Sequence, residues 1–128
     1  MIEELSESSG NVLGFQFSGE ITDDDYMGSF IPALRRAVKT FGTIRVLVDI
    51  SDMQSEDFGA MDDDIRERER ILYVEREAIV GDEDWVKRLV NVDHFFLFPG
   101  ADVRFFGTEH RTEAWRWLRE GLPSSISR

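Results

Sequence analysis

Seven carboxylates and two hydroxyls crowd into DISDMQSEDFGAMDDD, residues 49 to 64. Three chemistries use such groups: phosphate transfer onto a serine, binding of a divalent cation, and proton transfer. A phosphate on Ser51 or Ser55 would sit among Asp52, Glu56 and Asp57, which repel a dianion. Ser55 reads as an ordinary loop residue and Ser51 as a strand-end hydroxyl bonding backbone. For a cation, the triplets Asp62 to Asp64 and Asp23 to Asp25 occupy consecutive helical positions, which diverge by about 100° each. Three such carboxylates do not converge on one ion, and EF-hand spacing is absent. Both triplets fall in first helical turns, where the helix dipole favours negative charge, so no metal is expected. The only imidazoles are His94 and His110, and no nucleophile motif of the G-x-S-x-G kind accompanies either. IVGDED, residues 79 to 84, holds one glycine among three acids and would repel phosphate. No cofactor is expected, and the chain reads as a non-enzyme.

Bulk composition narrows the partners further. There are 128 residues, 41% hydrophobic, with ten Phe and three Trp, enough apolar surface to bury a core in one domain. With 15 basic against 26 acidic residues the net charge is -11, a field that repels phosphate backbones and anionic head groups. Nucleic acid is therefore excluded as a partner, and peripheral membrane contact is disfavoured. Two local basic groups oppose that field: Arg35, Arg36, Lys39 and Arg45, and the run Arg66, Arg68, Arg70. The second is interleaved with Glu67 and Glu69 and reads as a solvated helix face. The longest uncharged runs, SSGNVLGFQFSG and YMGSFIPAL, are too short to span a bilayer. MIEELSESSG has neither a basic nor an apolar region of a secretory signal, so a cytoplasmic location is expected. The absence of cysteine removes disulfides and thiolate chemistry.

The elements that must position these groups alternate. Residues 2 to 7 and Val12 to Ser18 read as a hairpin, the second strand with Leu13, Phe15 and Phe17 on one face and Val12, Gly14 and Gln16 on the other. Thr22 caps a helix whose stripe is Tyr26, Phe30, Leu34, Ala37, Val38 and Phe41, ending at Gly42. TIRVLVDI (43 to 50) is a β-branched strand. A helix from 59 to about 74 carries Ala60, Met61, Ile65, Leu72 and Tyr73. EAIVGD (77 to 82) is a short buried strand. Asp84 caps a further helix with Trp85, Leu89, Val92 and Phe96 as its stripe. DVRFFG (102 to 107) is the last strand, and TEAWRWLREG closes the chain with Ala114, Trp115 and Leu118 inward. The order ββαβαβαβα is an α/β fold. It implies a mixed sheet of four or five strands with an N-terminal hairpin and about four helices. One domain over residues 1–122 is expected, with 123–128 as a frayed tail.

VLVDIS, IVGDEDW, ADVRFF and EAWRWL, in that order of elements, resemble the SpoIIAA-like family, a relative in fold of the STAS domains that include anti-sigma factor antagonists. The resemblance runs from residue 2 to 120. It implies a mixed sheet with helices, no enzymatic reaction, and similarity to lipid-binding CRAL-TRIO domains. In the antagonists the strand ends in an Asp-Leu-Ser-like sequence, followed by Asp-Ser-Ser-Gly bearing the phosphoacceptor. Here the first half survives as Asp49, Ile50 and Ser51, and the second falls on Asp57, Phe58, Gly59 and Ala60, with no hydroxyl from 56 to 64. The corner of Asp49, Ser51, Asp57, Phe58 and Gly59 thus reads as a degenerate switch.

HFFLFPGADVRFF places five phenylalanines within twelve residues. Phe105 and Phe106, adjacent on a strand, must point to opposite faces, and Phe95, Phe96, Leu97 and Phe98 span too wide an arc for one buried stripe. Core packing, a homodimer interface and an apolar ligand pocket or membrane-contact surface all account for them. Two functions are consistent with this. The first is a non-catalytic regulatory domain that binds protein partners; the second is a binder of a lipid or other apolar small molecule between helices and sheet. Phe58, Met61, Ile65, Phe95 and Phe98 are the candidate apolar contacts. The stripe of helix Gly59 to Tyr73 is interrupted at Arg68 and Glu69, and that helix is the expected lid beside the strand carboxyl ends, where open α/β sheets bind ligands.

Overall fold

Alternating side chains along VLGFQFSG and IRVLVDISDM divide the protein between two cores, one on each face of a central sheet. The computed structural model describes residues 1–53, 74–82 and 101–121. Its strands are β1 (Ile2–Glu4), β2 (Val12–Gly19), β3 (Ile44–Met53), β4 (Val74–Val80) and β5 (Asp102–Phe106). They form one five-stranded sheet in chain order, β1 antiparallel to β2 and every later pair parallel. The mixed α/β sheet with its opening hairpin agrees with the sequence reading. The helices expected at 59 to 74 and after Asp84 lie outside the described residues, apart from Val74, which is already strand.

On one face, Leu13, Phe15 and Phe17 of β2 join Ile44, Val46, Val48 and Ile50 of β3. They are covered by the segment that begins with a short turn α1 (Asp23–Asp25) and continues through Tyr26–Phe30 into α2 (Ile31–Phe41). Phe30 meets the rings of Phe15 and Phe17 edge-on, at 5.0 and 5.2 Å between centroids. Each such pair adds about 1 kcal/mol to the burial itself. On the other face, Val12, Leu47, Ala78 and Val80 receive Ala114, Trp115, Trp117 and Leu118 of α3 (Arg111–Arg119), which a single 3-10 turn (Thr108–His110) introduces.

Thr22 caps the first helical segment as expected. Its Oγ1 accepts from the Asp25 amide at 3.1 Å, and the Asp25 carboxylate accepts from the Thr22 amide at 3.1 Å, a reciprocal capping box. The amide bond from Thr22 holds the Asp25 carboxyl below its ordinary range, against a smaller opposing effect of burial. The first acidic triplet therefore contributes a cap.

Four expectations need correction. The first helix is not one regular helix, because Tyr26–Phe30 widens into a π turn before α2. Pro32, at the start of α2, has no N–H for the preceding turn and its ring crowds that turn's carbonyl, so the backbone opens there. Phe41 does not continue the buried stripe: it is 47% exposed. The stripe ends at Ala37 and the half-buried Val38, and Gly42, at φ 87°, then turns the chain toward β3. β1 stops at Glu4, where Leu5 leaves the strand to pack with the α3 core and donates its amide to the Gly14 carbonyl at 2.8 Å. Finally, β4 begins at Val74, because a bulge inserts Glu75 between the pairs Ile44–Val74 and Arg45–Arg76.

Candidate functional site

The corner at the end of β3 is built by a second irregularity. Gln16 pairs with Asp49, but Ser18 pairs with Asp52, so β3 carries one residue more than β2 across this interval. The extra residue leaves the Ser51 amide outside the ladder, and the Asp49 side chain takes it up: Oδ1 accepts from Ser51 N at 2.9 Å and also from Ser51 Oγ. Asp49 is 3% exposed and lies on the α3 face of the strand, with Arg45 and Leu47. Its Oδ2 is 3.5 Å from Nη1 of Arg111, the first residue of α3, whose other nitrogen, Nη2, lies 3.5 Å from Glu7. Gln16, across the ladder, donates to Asp52 at 2.9 Å. Asp49 is thus engaged by Ser51 and Arg111 together, although Nε of Arg111 is itself buried without a hydrogen-bond partner.

The other end of the same strand face is built in a matching way. Arg45, 6% exposed, donates through Nη1 to the carbonyls of Leu118 at 2.9 Å and Glu120 at 2.6 Å, and through Nε to Glu75 at 3.1 Å. Its register partner Arg76 donates to the Trp117 carbonyl at 2.8 Å. Two arginines thus satisfy the last carbonyls of α3, at the negative end of its dipole. Four residues of strand cover about 13 Å and seven of helix about 10 Å, so Arg45 and Asp49 can reach opposite ends of α3. β3 grips the helix at both ends.

Between these ends the packing is aromatic. Trp115 lies over Gly14, and Arg119 stands 5.0 Å from the Trp115 ring. Trp117 lies among Arg76 at 5.2 Å, Arg104 at 5.0 Å and Phe106 at 6.0 Å. Phe106 joins this core while Phe105 is 38% exposed, the division their adjacency on a strand requires.

At the carboxyl ends of β4 and β5 a cleft of about 410 Å³ opens, lined by Gly81, Phe105, Phe106, Gly107, Glu109 and His110 among others. His110 is exposed, with Nδ1 3.2 Å from Glu113 and Nε2 3.7 Å from Glu109. Among the described residues its ring nitrogens face these carboxylates.

Of the residues singled out from sequence, Asp49 and Ser51 are brought together. Asp57, Phe58 and Gly59 of the corner, the apolar candidates Met61, Ile65, Phe95 and Phe98, and His94 lie outside the described residues. Arg45 is not part of a surface basic patch with Arg35, Arg36 and Lys39: it is buried under α3, whereas Arg36 and Lys39 are on α2. Sequence reasoning missed Arg111 and Glu7 at the corner. Their participation depends on how α3 returns across the sheet, and the only local signal was Arg45 and Asp49 sharing a strand face with Leu47.

Comparison with known proteins agrees with this architecture. No curated protein matches the chain. A crystal structure of an uncharacterized protein from the DUF3478 family with a SpoIIAA-like fold, from Shewanella loihica PV-4, is 27% identical over 91% of this chain and 93% of that one, with a TM-score of 0.63. The SpoIIAA-like family model matches residues 12–119, from the start of β2 to the last residue of α3. The chain belongs to the SpoIIAA-like family.

Proposed function

We propose that this protein is a non-catalytic binding domain that presents a fixed surface to protein partners and has no phosphorylation switch at the β3 corner. One observation carries the reading: the Ser51 hydroxyl is donated to a buried carboxylate that also holds the first residue of α3. A serine in that position braces the helix, and Asp49, engaged by Ser51 and Arg111, is not poised to take a proton from a substrate. The exposed ring of Phe105 beside an open cleft at the strand carboxyl ends supports a contact surface there.

The same cleft favours a second reading, in which an apolar small molecule lies against Phe105 and Phe106. A native mass spectrum of protein purified without denaturation separates the two. The expected masses are those of the chain or its integral multiples, homodimer included, with nothing retained. A retained molecule of a few hundred daltons, released on unfolding, would establish the second reading and remove the first.

A further inference from the structure

The cleft at the ends of β4 and β5 joins an apolar floor to an acidic rim. Phe105, 38% exposed, and Phe106 supply the floor. Glu109 lines the rim with its side chain 77% exposed, and Glu113, 59% exposed, stands on the next turn across His110. Gly81 and Gly107 bring bare backbone to the wall, and the Gly81 amide is tied to the Phe106 carbonyl at 3.1 Å, so the wall is braced. An anionic lipid or a phosphate ester meets carboxylates here and a protein of net charge -11 behind them. A neutral apolar molecule would use the floor and leave the rim idle. An occupant that uses both carries a cation within a few ångströms of an apolar side chain.

We infer that this cleft binds a short basic and apolar segment of a partner protein, an arginine or lysine on Glu109 and Glu113 and a neighbouring leucine-like side chain on Phe105. The inference rests on the reading of the domain as a protein-binding module and names the partner's chemistry. The acidic field steers such a segment in, and contact with the phenylalanine floor retains it.

The test is an amide-shift titration of the full chain, isotope-labelled, with an amidated peptide of alternating arginine and leucine and with its glutamate-for-arginine counterpart. The basic peptide should move the amides of Gly81, Phe105, Gly107 and His110, and the acidic one should move none. Phe105→Thr, which keeps a strand-forming residue at an exposed site, should weaken binding about tenfold. Glu109→Gln with Glu113→Gln should weaken it several-fold and flatten its salt dependence. Equal shifts with both peptides, shifts scattered over acidic surface away from the cleft, or unchanged affinity in Phe105→Thr would overturn the inference. So would decanol moving these amides while the basic peptide does not. If Phe105→Thr instead still binds a genuine partner as the wild type does, the cleft assignment fails and the protein-binding reading stands. A ligand retained in the native mass spectrum removes the reading itself.

Discussion

Gly14→Ala will destabilise the domain by about 3 kcal/mol, although alanine is ordinarily the better strand residue. The reason is Trp115. A Cβ on Gly14 would lie 2.3 Å from Trp115 Cη2 and 2.6 Å from Cζ2, distances at which something must move. The ring has little room to do so. It is 6% exposed, Arg119 stands against it at 5.0 Å, and Arg119 is itself tied to the Glu7 carbonyl at 2.7 Å. The backbone gain from replacing a strand glycine, about 0.5–1 kcal/mol, is too small to reverse the sign. Urea unfolding reads the cost directly. In a Trp115→Leu background the same substitution should cost far less, because the ring it strikes is gone, so the two changes should be strongly non-additive. A cost below about 1 kcal/mol in the wild-type background would show that α3 sits loosely on β2.

Arg45→Met should lower stability by a similar amount, about 3 kcal/mol, through a different cause. Methionine keeps an apolar stem but removes the donors that reach Leu118, Glu120 and Glu75. The carbonyls at the end of α3 then lose the group that satisfies them. Most of the loss belongs to those carbonyls, since Glu75 is 49% exposed and an ion pair there is screened by water. Arg45→Lys should recover only part of it, because a single ammonium lacks the planar fork of the guanidinium and reaches these acceptors less well. Amide exchange should quicken through α3 in Arg45→Met while α2, packed on the opposite face, keeps its protection. Equal loosening of both helices would mean that the two cores do not behave as separate units.

Much of this architecture is written in local pattern. Leu13, Phe15 and Phe17 alternating with Val12, Gly14 and Gln16 assign the two faces of β2 without any structure, whereas the β-branched run of β3 marks a strand without assigning its faces. The inward face of α3 follows from Ala114, Trp115 and Leu118, although Trp117 is buried with them. What local pattern does not carry is the pairing between distant segments. Arg45 looks like one more surface cation until α3 returns over it, and nothing near Asp49 announces Arg111. The bulges at Ser51 and Glu75 are equally hidden, since each depends on the register of two strands. Phe41 misled for a related reason: it has the right spacing for the α2 stripe but sits at the helix end, beyond the sheet contacts that bury Leu34 and Ala37. The corner itself was half legible. Asp49 and Ser51 stand out in the sequence, but the Ser51 hydroxyl bonds the Asp49 carboxylate and not backbone as expected, and their role as a brace appears only once the helix is in place.

That brace closes the corner to modification, and phosphate incorporation tests it most directly. The intact chain, incubated with ATP and serine kinases of the kind that act on anti-sigma factor antagonists, should emerge without added mass, and peptides covering residues 44–53 should be unmodified. The Ser51 hydroxyl is donated to buried Asp49, and a dianion placed there would face that carboxylate and Asp52. Phosphate on Ser51 at high occupancy in the folded protein would contradict this, and the corner would then be a working switch.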